Sequence, residues 1–218
     1  ASLMEIQSEG INITTVEDPV EYQIPGINQV QMHDEIGLNF AASLRSILRQ
    51  DPDVLLIGEI RDPETADIAV KFSLTGHLVF STVHANDATS TITRLLDLGI
   101  APFLLGSSLN LVMAQRLVRT IDEDNKESYT PDKAELEKIN FKNSKSTKFY
   151  RGKPNASNHN TGYKGRTAIH EVLEINNEMR QLIFDGENQN QIYNKAVKNG
   201  MTSLREAGIG KIKTGETT

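Results

Sequence analysis

Side chains with chemistry to offer recur at the ends of apolar runs. Glu17 and Asp18 follow the run 11–16 and precede Pro19. Glu59, with Arg61 and Asp62, follows Gly58 and the run 54–57. His77 opens the run 78–83 and His84 closes it. A carboxylate beyond a strand end can orient or deprotonate a water, and an acid after an apolar strand can hold Mg²⁺ directly or through water. Each feature alone has a plainer reading. Glu17-Asp18-Pro19 forms turns, Arg61 and Asp62 can pair at a helix start, and a strand-end histidine is often structural. Together they say more. Short, nearly continuous apolar runs between helical patterns are strands of a parallel sheet buried on both faces. Such sheets bind ligands beyond their carboxyl ends. Glu17, Glu59 and His84 are therefore expected at one sheet edge, where acids and imidazole suit nucleotide hydrolysis. His77 and His84 stand an odd number of residues apart, so within one strand their rings would point in opposite senses. They are not expected to share a metal.

The elements that must hold these groups can be read in order. Leu3 and Ile6 share the face of a helix that Gly10 stops. After the first strand, residues 19–37 read as one long connection, with a turn at Pro25-Gly26. Asn39 caps a helix that places Phe40, Leu44, Ile47 and Leu48 on one face and Arg45 and Arg49 elsewhere. Asp62, Pro63 and Glu64 form a helix start ahead of the third strand. Asp87 caps the next helix, and Pro102 opens another that runs to about Ala114. The βαβα pattern predicts α/β with a parallel sheet. Residues 122–160 are polar and read as an exposed insertion with no core of its own. Beyond Gly165 lie a short strand and helical segments, the last capped by Thr202.

Composition removes several classes. With a net charge of -6, no general basic face for nucleic acid is expected; the cluster Lys142, Lys145, Lys148, Arg151 and Lys153 reads as a solvated loop. There is no cysteine, which excludes disulfides and thiolate metal sites. No apolar run is long enough to span a bilayer, so any membrane contact is expected through a partner. The phosphate-cradling loop G-x-x-x-x-G-K-[ST] is absent, and the segment 162–166 is read as a turn.

Several stretches together resemble a known family. Residues 13–22 (Ile-Thr-Thr-Val-Glu-Asp-Pro-Val-Glu-Tyr) resemble the Asp box of the ATPases that drive type II secretion and type IV pilus assembly. Residues 44–62 resemble their Walker B region, 75–88 their His box, and 115–119, 162–171 and 200–205 further family stretches. The resemblance implies a RecA-like P-loop NTPase core of mostly parallel sheet, lacking its P-loop strand, over residues 1–119. It implies a polar insertion over 120–164, and a strand with a small helical subdomain over 165–218. Glu17 would be the catalytic carboxylate, with Asp18 beside it in the Asp box, and Glu59 the Walker B acid near Mg²⁺. His84 and His77 would be the His-box pair that senses nucleotide, with Arg45, Arg49 and Arg61 in support. The implied cofactors are ATP and Mg²⁺. The implied partners are further copies in a cytoplasmic hexamer and an inner-membrane platform protein, without nucleic acid or direct membrane insertion.

Two departures carry expectations. In the family the Walker A helix leads into the region matching residues 1–4, so the chain is expected to begin just past the P-loop and to be inactive alone. Family members of the assembly branch also carry a four-cysteine zinc module, and matching from both flanks places Asp122, Asn125, Asn155 and Asn158 at its cysteines. Amides are poor zinc ligands, so no zinc is expected. The insertion favours the assembly or secretion branch over retraction motors. A catalytically silent subunit of the same fold is the alternative, and a metal-dependent hydrolase a third.

Overall fold

The apolar runs that end in Glu17, Glu59 and His84 become neighbouring strands of one parallel sheet. The structure is a computed structural model that describes residues 2–139, 141 and 148–218. In chain order the elements are α1 (Ser2–Ile6), β1 (Ile13–Glu17), β2 (Asn28–Gln31), α2 (Phe40–Ile47), β3 (Val54–Ile57), α3 (Pro63–Leu74), β4 (Leu78–Ser81), α4 (Ala88–Asp97), α5 (Pro102–Ser108) and β5 (Leu111–Ile121). They continue as β6 (Lys126–Tyr129), α6 (Lys133–Lys138), β7 (Phe149–Gly152), β8 (Tyr163–Glu174), α7 (Asn177–Phe184), α8 (Gln189–Lys198) and α9 (Leu204–Thr214). Two compact units result: residues 1–112 with 174–195, and residues 113–173 with 196–218.

In the first unit the sheet order is β2-β1-β3-β4, all parallel. Val16 pairs with Ile57, and Ile57 with Ser81, so the three strands end level. Ile13, Val16, Leu55 and Ile57 are buried, as central strands covered on both faces require. Leu3 of α1 packs on Ile13 and Val54. The helix starts lie where the caps predict. Asn39 accepts from Ala42 N at 2.9 Å, Asp62 from Thr65 N at 2.9 Å, and Asp87 from Ser90 N at 2.7 Å. Each satisfies a backbone donor that has no partner inside its helix. Asp87 is held ionised although burial opposes its charge, because hydrogen bonds from Ser90 and Thr89 outweigh that penalty.

Three expectations change here. The connection 19–37 contains β2, which pairs along β1 from Asn28 to Gln31. The helix opened by Pro102 ends at Ser108, and residues 111–121 form β5, with Val112 and Ile121 buried along it. Residues 162–166 are not simply a turn, because β8 begins at Tyr163 and runs unbroken to Glu174.

The second unit pairs β5 with β8 and, separately, β6 with β7. The polar stretch does assemble a small core, because three aromatic rings converge from separate places. Tyr129 and Phe141 set their edges against Phe149 at centroid distances of 6.4 and 5.6 Å, and Leu136 of α6 is buried. Glu127 accepts from Arg151 at 2.7 Å and lies 3.0 Å from Lys153, and these cations hold its carboxyl below the usual range. Lys142 and Lys145 of that basic cluster lie outside the described residues. The cap of α9 is Ser203, not Thr202: its hydroxyl takes Glu206 N, and the Glu206 carboxylate takes Ser203 N.

Asp122, Asn125, Asn155 and Asn158 are joined by hydrogen bonds. Asp122 Oδ2 accepts from Asn125 Nδ2 at 2.7 Å and Asn158 Nδ2 at 2.9 Å. Asn158 Oδ1 accepts from the backbone of Asn155 at 2.9 Å and Gly162 at 3.1 Å. Asp122 and Asn158 are 2% and 1% exposed, so these bonds replace water at groups that cannot otherwise reach it. The two amides hold the Asp122 carboxyl below its ordinary range. This donor set does not fit a zinc ion, since the amide nitrogens point hydrogens, not lone pairs, at the only carboxylate.

Candidate functional site

The carboxyl edge of the sheet gathers the predicted groups within the first unit. Glu59 stands two residues beyond β3, and His84 three beyond β4. His84 Nε2 lies 3.1 Å from Glu59 Oε2. Glu59 Oε1 takes a hydrogen bond from Arg61, whose other terminal nitrogen lies 3.8 Å from Asp18. Arg61 thus links the acid after β3 to the acid after β1. Its hydrogen bond is the main reason the Glu59 carboxyl is held below its usual range; burial opposes this, and the charges of Arg61 and His84 assist. Glu59 Oε2 is buried, and His84 Nε2 faces it at 3.1 Å. A nearly dry carboxylate oxygen at a strand end suits Mg²⁺.

Backbone contacts fix where Glu59 begins. Gly58 N donates to Val16 O at 2.7 Å, Ile60 N to Thr82 O at 2.9 Å, and Thr82 Oγ1 to Gly58 O at 2.6 Å. A Cβ on Gly58 would meet Val16 O at 3.2 Å and Glu17 Cα at 3.4 Å. The close approach that glycine permits is therefore to the neighbouring strand, rather than to a phosphate or metal.

Glu17 closes β1. Its Oε1 accepts from Thr15 Oγ1 at 2.6 Å and Gln29 Nε2 at 3.0 Å. A cleft of about 300 Å³ is lined by Glu17, Asp18, Glu59, Thr82 and His84. A second, of about 360 Å³, shares Glu17, Gly58 and Thr82 with it and adds Tyr22, Gln29 and Phe80. Both have the size of small-ligand sites.

The remaining predicted residues lie elsewhere. His77 precedes β4, at the opposite end of that strand from His84, stacked on Phe72 at 4.0 Å with Nδ1 2.9 Å from Thr75 Oγ1. Arg45 on α2 pairs with Glu64 at the start of α3, and Arg49 is exposed in the turn after α2. Thr15, Gln29 and Thr82 escaped the sequence reading. Thr15 carried a signal, a polar residue two before Glu17 and hence on the same strand face. Gln29 carried none, since its strand has no apolar run.

A parallel α/β sheet with carboxylates and an imidazole collected beyond its strand ends has the layout of an α/β ligand-binding domain. The comparisons with known proteins narrow this. Residues 1–218 match the family described as Type II/IV secretion system protein, and the chain belongs to that family. The type IV pilus assembly ATPase PilB of Myxococcus xanthus is 47% identical over 221 residues, covering 100% of this chain and 39% of that protein. The type II secretion system ATPase E of Vibrio cholerae is 46% identical over 218 residues, covering 100% of this chain and 43% of that protein. The chain thus spans about two-fifths of the length of these relatives. Among solved structures, the pilus retraction motor PilT with bound ADP superposes at a TM-score of 0.59 with 28% identity, over 92% of this chain and 52% of that one. The Legionella pneumophila ATPase DotB superposes at 0.65 with 23% identity, over 95% and 49%, a likeness of fold.

Proposed function

We propose that the chain is the catalytic-core portion of a hexameric motor ATPase that couples ATP hydrolysis to type IV pilus assembly or type II protein secretion. The observation that carries this reading is the convergence of Glu59, His84 and Asp18 beside Glu17 on one cleft, with Arg61 bridging Glu59 to Asp18. Glu17 orients the attacking water. Glu59 holds the Mg²⁺ site, and Arg61 and Asp18 keep it aligned. His84 registers the γ-phosphate beside Glu59, while His77, the other member of the expected sensing pair, stacks on Phe72 at the far end of β4, away from that cleft. Arg45 and Arg49 act as supporting charges. Mg²⁺, when bound with ATP, neutralises the developing phosphate charge. The phosphates themselves need a backbone cradle that these 218 residues do not contain.

In this reading residues 1–119 are the motor core, 120–164 an insertion that folds without zinc, and 165–218 the closing subdomain. The working form is a homo-hexamer on the cytoplasmic side, held at the inner membrane through a platform protein. Among the described residues no helix is long and apolar enough to cross a membrane. A second reading is a catalytically silent subunit of the same fold. The test is Glu59→Gln in the full-length protein. Hydrolysis is expected to fall about a hundredfold or more with nucleotide binding retained, as a phosphate-release assay and a fluorescent-nucleotide titration would show. Unchanged turnover rejects the role of Glu59, and no turnover by the unaltered protein favours the silent subunit.

A further inference from the structure

Glu17 is held by two groups that the hydrolytic reading does not need and the strand does not require. Thr15 is 0% exposed in the middle of β1, where an apolar residue would pack as well. Its hydroxyl donates to Glu17 Oε1 at 2.6 Å. Gln29, its register partner on β2, donates to the same oxygen at 3.0 Å. The Gln29 amide has one orientation. Its Oε1 accepts from Ile24 N at 2.7 Å, which turns Nε2 toward Tyr22 O, 3.0 Å away, and Glu17. Every polar atom of that amide is engaged, and a carboxylate gripped by two donors on one oxygen cannot rotate freely.

We infer that Thr15 and Gln29 are positioning residues for Glu17, fixing its carboxylate through Oε1 so that Oε2 is the oxygen offered to water in the cleft. The inference rests on the reading that Glu17 orients the attacking water. It also gives β2 a purpose: this short edge strand delivers the amide and, through Tyr22 and Ile24, ties the loop that borders the cleft to the same carboxylate. A base displaced by a fraction of an ångström loses rate without losing substrate.

The experiment is steady-state kinetics on the full-length protein carrying Thr15→Val, Thr15→Ser, Gln29→Ala or Glu17→Gln, with nucleotide affinity and melting temperature measured beside it. Thr15→Val keeps the shape and removes the donor; kcat is expected to fall about ten- to a hundredfold with KM within about twofold. Thr15→Ser restores the hydroxyl and should recover most of the rate, and Gln29→Ala should show the same kcat-only loss. Wild-type kcat in Thr15→Val and Gln29→Ala, or equal losses in Thr15→Val and Thr15→Ser, overturns the inference. If Thr15→Val does not fold, the kcat-against-KM split of Gln29→Ala decides alone. Inactive Glu17→Gln beside fully active Thr15→Val and Gln29→Ala would sink only the positioning role. A fully active Glu17→Gln would sink the reading of Glu17 itself.

Discussion

Asn158 shows how much one amide can hold. It donates to Asp122 and to Lys153 O, accepts from Asn155 N and Gly162 N, and is almost wholly buried. Replacing it with alanine orphans several groups at once, and each unmet buried group costs about 1–3 kcal/mol. We expect Asn158→Ala to lower the urea midpoint clearly with little change in m. The acid response follows from Asp122, whose carboxyl is held low by Asn158 and then Asn125. A carboxyl with a depressed folded-state pKa contributes stability that is present above its unfolded value of about 3.9 and is lost as pH falls through the folded value. The urea midpoint should therefore lose the Asp122 contribution only as the pH drops below about 4, and Asn158→Ala should flatten that acid-side fall. At this scale the sequence was partly legible. Glu17, Glu59 and His84 stood out because charged groups after apolar runs have few other reasons to be there. Thr15 and Gln29 did not, because hydroxyls and amides are common everywhere and only pairing register reveals whom they meet.

The elements follow their local chemistry closely where caps and prolines punctuate them. Asp62 accepts from both Thr65 N and Thr65 Oγ1 with Pro63 behind it, and α3 starts at that point. Asp62→Ala should cost about 1 kcal/mol, read as a lower thermal midpoint. β2 and β5 were hidden for opposite reasons. β2 is an edge strand of Asn, Gln and Val, held by pairing along β1 and by the Gln29 amide rather than by burial. β5 begins Leu-Val-Met-Ala, which carries as much helical as extended character, and its pairing with β8 decides the matter. Gly152 and Gly162 mark a third limit. Each would drive a Cβ into the other's backbone carbonyl, a constraint visible only once the two turns of the chain touch.

Across the molecule the chain enters its second unit at Met113, returns to the first at Glu174 and leaves it again after Lys195. The first unit is therefore not a contiguous piece of sequence. Its α5 packs on α7, where Arg180 donates to Gly106 O at 2.7 Å and Asn110 Oδ1 at 3.1 Å. Ile183 on α7 is fully buried, and Ile183→Ala should destabilise that unit by about 2–5 kcal/mol although it lies more than a hundred residues beyond the sheet. Equilibrium unfolding followed by tyrosine fluorescence and by circular dichroism would test this. Strands β1, β3 and β4 were legible because short, largely apolar runs mark them; the return of α7 to that unit was not, since nothing in a helix's own pattern says which surface it will cover. The carboxylate–amide knot at Asp122 has a further consequence. It contains no thiol, and its amides turn hydrogens where a metal would need lone pairs, so a strong chelator should leave the second unit's melting curve where it was.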